Sequence, residues 1–194
     1  MNKASRFAKI IRVVTVVPVM ALTTLSILYG LRPSIFQGTF QYILSIIFLT
    51  VLPISAYPLQ LILPKYRNKG REGQRNLALM MGVSGYLFGI VFTLCSHATK
   101  ELLVIYLIYF LSGIGILIFN KIFKIRASGH ACGVAGPISI LVYFIGIKAL
   151  VSVVVLMMVY WASIKTKRHT TSQLLWGTII PLFALIISKF WLSL

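Results

Sequence analysis

The chain is almost empty of acid. Its 194 residues include two carboxylate side chains, Glu72 and Glu101, and no aspartate. That scarcity removes whole reaction classes. There is no carboxylate pair for glycoside hydrolysis and no acidic cluster to hold Mg²⁺ or Ca²⁺. Cysteine is scarce too. Cys95 and Cys132 lie in apolar surroundings, without the spacing of a zinc site or a redox CxxC pair, and both read as small buried hydrophobes. Charged residues of either sign make up 11% of the chain, against about a quarter in a soluble domain.

What is present is apolar and basic. Hydrophobic residues make up 59%, mean hydropathy is +0.95, and 19 Lys and Arg give a net charge of +17. In a soluble protein such basicity points to nucleic acid. Here the cations fall between apolar runs, so membrane lipid head groups or a phosphorylated substrate are the expected partners, and no nucleic acid. A span needs about 20 predominantly apolar residues. Seven runs qualify as candidates: Val13–Gly30, Phe40–Leu63, Leu77–Ser96, Leu102–Phe119, Ala131–Ile147, Ala149–Trp161 and Leu174–Trp191. The fifth and sixth are short, are parted only by Lys148, and read as a helical hairpin or one kinked helix. The fold class is therefore all-α, a polytopic bundle of about six to seven spans forming one integral membrane domain over 1–194. Gly113 and Gly115, with Ser112, predict close helix packing in the fourth run.

Alternating sides along these runs puts fifteen of the 19 Lys and Arg on one face. They lie in the N-terminal stretch to Arg12 and in the loops 64–76, 120–130 and 164–173. The other face holds Arg32, Lys100, Lys148 and Lys189. The positive-inside rule then predicts a cytoplasmic N-terminus and cytoplasmic loops, with a plasma-membrane location. Cations recruited for chemistry would weaken that inference, because the face counts are equal once the three loops are set aside.

Those loops contain nearly every polar residue able to react. The first runs from Lys65 to Arg75 and includes Arg71. The second carries Lys121, Lys124, Arg126, Ser128, Gly129 and His130 into a helix. The third carries Lys165, Lys167, Arg168, His169 and Gln173 into another. Two loops thus pair a histidine with cations just before a helix begins, where free N–H groups favour anions. Gly129 permits close backbone approach to a ligand, and Arg and Lys bind phosphate oxygens. Histidine serves as nucleophile or as general acid near neutral pH.

Ser128-Gly129-His130 resembles the second motif of the type-2 phosphatidic acid phosphatase superfamily. His169-Thr-Thr-Ser-Gln173-Leu-Leu-Trp-Gly177 is similar to its third motif, and the loop ending at Arg75 falls where the first would lie. The resemblance covers roughly residues 64–180, the expected catalytic core. It implies a nucleophilic His169 that forms a phosphohistidine and a His130 that protonates the leaving group. It also implies phosphate held by Arg71, Arg75, Lys124, Ser128, Gly129, Lys165 and Arg168, with no metal and no cofactor. Gln173 stands where the family usually has Asp, and would orient His169 without stabilising an imidazolium as a carboxylate does. Ser163 stands where the family usually has Arg, which predicts that Lys165, Lys167 or Arg168 substitutes.

The expected activity is hydrolysis of a phospholipid or isoprenoid phosphate. The sequence does not choose among tails or oligomeric states. The blander readings are membrane anchoring for the cations and an Arg71 or Arg75 pair with Glu72. An inactive lipid-binding or scaffold relative is the principal rival. A cysteine peptidase using Cys132 is weaker, since Cys132 and His130 diverge at a helix start. A transporter is weaker too, given so few ionisable residues within the runs.

Overall fold

A computed structural model describes residues 3–192, and among these there is helix but no strand. The helices are α1 (Lys3–Val14), α2 (Val17–Leu31), α3 (Thr39–Ile62), α4 (Gly70–Cys95) and α5 (Lys100–Lys121). They continue with α6 (Gly129–Ile145), α7 (Val153–Lys165) and α8 (Thr171–Leu192). A π-helical turn at Ile47–Val51 interrupts α3 just ahead of Pro53. A one-turn helix, Pro64–Arg67, precedes α4, and a 3₁₀ stretch, Ile147–Ser152, leads into α7. Five helical segments are long and apolar enough to cross a membrane: α3, α4, α5, Ile147–Lys165 and α8. The bent pair α1 and α2 makes a sixth if it counts as one span.

The apolar runs correspond to the helices with two shifts. The first expected span, Val13–Gly30, is broken near its start. Lys3–Val14 forms its own helix, and the chain bends by 58° before α2. Pro18 explains the break, because its ring would clash with the carbonyl four residues back in a continuous helix. The loop expected at 64–76 is also mostly helical, since α4 begins at Gly70. Arg71 and Arg75 thus lie four residues apart on one face of a helix rather than in an open loop.

The predicted hairpin of the fifth and sixth runs forms. Its turn is Gly146, whose φ of +91° suits a residue without a side chain. At 17 residues α6 is shorter than α5 and α8, and it is buried along most of its length. It packs on α2, α5, α7 and α8, so its uniformly apolar surface faces protein all round. Close packing in α5 follows the expectation: a Cβ at Gly113 would meet Val83, and one at Gly115 would meet Ile180. Of the two cysteines Cys132 is buried as expected, whereas Cys95 is exposed at the end of α4.

The helix ends sort into two groups. At one end the 32–38 and 96–99 segments meet, where Gln37 donates to the His97 carbonyl and Thr99 to the Ile35 carbonyl. His97 lies at this end, away from the three basic loops, and its contact there is through its backbone carbonyl. The other end gathers α1, the starts of α4, α6 and α8, and the end of α7.

Candidate functional site

The third loop is ordered by Gln173. Its Oε1 lies 3.0 Å from His169 Nδ1 and also accepts the Thr170 N–H at 3.4 Å. An atom that accepts from a backbone N–H is the amide oxygen, so Nδ1 carries the proton and donates. The other ring nitrogen, Nε2, therefore holds its lone pair. The Thr170 hydroxyl accepts the Gln173 N–H in return, a reciprocal cap at the start of α8.

Gln173 also anchors the second loop. Its carbonyl accepts the Ser128 N–H at 2.8 Å, and the Ser128 side chain caps α6 by accepting the Ala131 N–H at 3.3 Å. One turn further along α8, Gly177 lets the Ser128 carbonyl lie against the helix, where any Cβ would collide with it. The Ser-Gly-His segment is thus docked on the helix that presents His169, and the two histidines act on each other electrostatically.

His130 has a partner from outside the three loops. Its Nε2 lies 2.9 Å from Thr15 Oγ1. The Thr15 hydroxyl donates to the Ile11 carbonyl at 2.6 Å, so it accepts from His130, which holds its proton on Nε2. Thr15 sits at the α1–α2 bend. Nothing in its sequence neighbourhood marks it, because the contact spans 115 positions.

The cations around the pair are arginines. Arg12, Arg126 and Arg75 act on His169, and Arg168 and Arg71 act on Arg12. Among the described residues no carboxylate pairs with any of the five, so the expected alternative of an Arg71 or Arg75 pair with Glu72 does not form. Burial pushes the His169 imidazole below the ordinary histidine value. The hydrogen bond to Gln173 opposes that shift, and Arg12, Arg126 and Arg75 add to it.

Two cavities open at this end; His130 lines the first, and His169 lines neither. One, about 310 Å³, is apolar along Val17, Pro53, Leu79 and Ile116 and ends at Arg75, Gly129 and His130. A smaller space sharing Val17, Leu79, Tyr86 and Ile116 continues inward to Tyr109, Cys132 and Ile140. The other cavity is basic and more open, lined by Arg12, Arg71, Lys165, Lys167 and Arg168.

The expected site residues divide accordingly. His169, Gln173 and Ser128 are joined by hydrogen bonds, Gly129, His130 and Arg75 line the apolar cavity, and Arg71, Lys165 and Arg168 line the basic one. Lys124 and Arg126 are both exposed and line neither cavity; among the described residues neither makes a side-chain hydrogen bond, and Arg126 acts electrostatically on His169. Lys124 and Arg126 both adopt left-handed φ, at 57° and 55°, which turns the chain between them. Arg12, Thr15 and Arg126 are the members that sequence reasoning left out.

No protein-family model matches the chain, and neither a curated protein nor a solved structure matches it. Chemically, the arrangement offers a lone-pair imidazole nitrogen, a second imidazole and several guanidinium groups, which among the described residues have no carboxylate partner. Guanidinium groups bind phosphate oxygens.

Proposed function

We propose that the protein is a metal-independent phosphatase acting on a membrane lipid phosphate. The observation that carries this reading is the pair of histidine-bearing segments tied to the start of α8, with five arginines acting on the site that, among the described residues, no carboxylate neutralises. A multiply charged phosphate would supply the missing negative charge, and the apolar cavity adjoining His130 suits the tail of the same molecule. The site's resemblance to type-2 phosphatidic acid phosphatases points the same way.

In this reading His169 Nε2 attacks phosphorus while the bond to the alcohol oxygen breaks. His130 acts here as the imidazolium: with Nε2–H held by Thr15, it delivers its Nδ1 proton to that oxygen as it leaves. Water then attacks the phosphohistidine, returns a proton to His130 and frees inorganic phosphate. Gln173 keeps His169 in the attacking tautomer. Arg75 lies at the mouth of the tail cavity, with Arg168, Lys165 and Arg71 beyond the histidines. The substrate class is a phospholipid or isoprenoid phosphate, monophosphate or diphosphate.

The inactive lipid-binding alternative has one observation of its own, the amide of Gln173 where a carboxylate would stabilise an imidazolium. Phosphate release from a panel of lipid phosphates in detergent with EDTA separates the two. Release by wild type that His169→Ala and His130→Ala both lose supports the phosphatase. Phosphate binding without release from any lipid by a folded protein supports the alternative.

A further inference from the structure

Arg12 lies outside every motif, yet it has the geometry of a ligand-gripping residue. It sits on the last turn of α1, a helix whose Ala8 and Ile11 pack on Val159 and Ala162 of α7. That packing carries Arg12 over Ser163, and Nη1 donates to the buried Ser163 hydroxyl at 3.3 Å. Ser163 is the position at which the resemblance led us to expect an arginine. A guanidinium has five N–H donors, and this hydrogen bond is the one that Arg12 makes among the described residues. It is half-buried, and the charges acting on it are those of other cations, Arg168 and Arg71. It lines the basic cavity and also acts on both His130 and His169. A partly desolvated cation in such company is costly unless an anion joins it.

We propose that Arg12, delivered by the N-terminal helix and steadied by Ser163, grips the phosphoryl group between the two histidines. The inference rests on the phosphatase reading and gives the phosphate a principal contact that the three loops do not contain. It also makes α1 part of the site rather than a surface anchor. Lys165, Lys167 and Arg168 then serve the outer cavity and do not replace the arginine missing at 163.

The test compares wild type with Arg12→Ala, Arg12→Gln and Arg6→Ala in detergent. Arg6 is exposed on the same helix and lines neither cavity, so it controls for charge on α1. Affinity for inorganic phosphate is read by calorimetry, and kcat and KM on the lipid phosphate that wild type turns over best. Loss of one charge-assisted contact predicts phosphate affinity about 10- to 100-fold weaker in both Arg12 variants, with Arg6→Ala unchanged. It also predicts partial recovery of Arg12→Ala turnover when free guanidinium is added, which a merely structural role would not give. If Arg12→Ala fails to fold, Arg12→Gln decides, since its amide still reaches for Ser163. Wild-type affinity in a folded Arg12→Gln overturns the proposal. Phosphate binding by wild type without lipid turnover defeats the phosphatase reading alone, because the affinity comparison still decides the role of Arg12.

Discussion

The Gln173 carbonyl accepts the Ser128 N–H at 2.8 Å, while the Gln173 side chain holds His169 at 3.0 Å. One residue therefore serves both histidine-bearing segments, the first through its backbone and the second through its amide. The two functions separate by mutation. Gln173→Ala removes the amide and spares the carbonyl, so the fold should persist while His169 loses its fixed tautomer. We expect phosphate release to fall about 10- to 100-fold, with the melting temperature little changed. Gln173→Glu should instead raise the pKa governing the acid limb of the rate profile, because a carboxylate favours the imidazolium. A rate profile under single-turnover conditions checks both.

Gly177 tests the docking itself. A methyl group there meets the Ser128 carbonyl, which is backbone and must shift. Gly177→Ala should destabilise the protein by about 1–3 kcal/mol and reduce activity by displacing His130 from His169. Thermal unfolding together with phosphate release would show both losses. A variant with normal turnover would mean that the Ser128 segment need not lie against α8.

The pH dependence follows from His169. Its folded pKa is lowered, by burial first and by Arg12, Arg126 and Arg75 in addition, against the opposing hydrogen bond to Gln173. The neutral ring is the nucleophile, so the acid limb of kcat/KM should fall below the ordinary histidine value of about 6.5. Arg75→Ala removes a cation and should move that limb upward. For stability the sign is fixed by the same shift. The unfolded chain binds the proton more readily, so this contribution is present above the unfolded pKa and is lost as pH falls through the folded one.

Lys124 gives the opposite kind of prediction. It is exposed, lines neither cavity and holds a φ of 57°, a conformation costly for a side-chain-bearing residue. Lys124→Gly should raise stability by about 0.5–1 kcal/mol and leave kcat/KM within twofold. A loss of tenfold or more would restore Lys124 to the phosphate-binding group.

The spans were legible because each is a local property: about 20 apolar residues in a row declare themselves wherever they fold. The hairpin was one of two readings for the same reason, with Lys148 between two short apolar runs; Gly146, where the chain turns, lay unremarked inside the fifth run. His130 and His169 stood out because their cations and helix starts are sequence neighbours. Arg12 and Thr15 did not. They reach Ser163 and His130 across 151 and 115 positions, through a bend that only the packing of α1 on α7 makes productive. As a sequence feature Arg12 was one more cation before an apolar run. The available signal was the combination of Ala8 and Ile11 on one stripe of α1 with Pro18 shortly after, which marks a separate helix that packs. Arg126 stood beside Lys124 in the second loop, and nothing in the residue types there set one above the other.

The separation between Arg12 and Ser163 also governs how the protein is made. Synthesis proceeds from the N-terminus, so α1 emerges and must wait, with Arg12 uncovered, until the seventh helix is in place. Closing a loop of that length costs conformational entropy that local helix formation does not. The site is consequently completed late, and a chain halted after α6 holds His130 and Thr15 but neither Ser163 nor His169. Premature termination after α6 but before His169 leaves a bundle with most of its spans made and no second site histidine. In such a chain insertion into the bilayer and acquisition of the site are separable events, and a membrane-integration assay would count it as mature while a phosphate-binding assay would not.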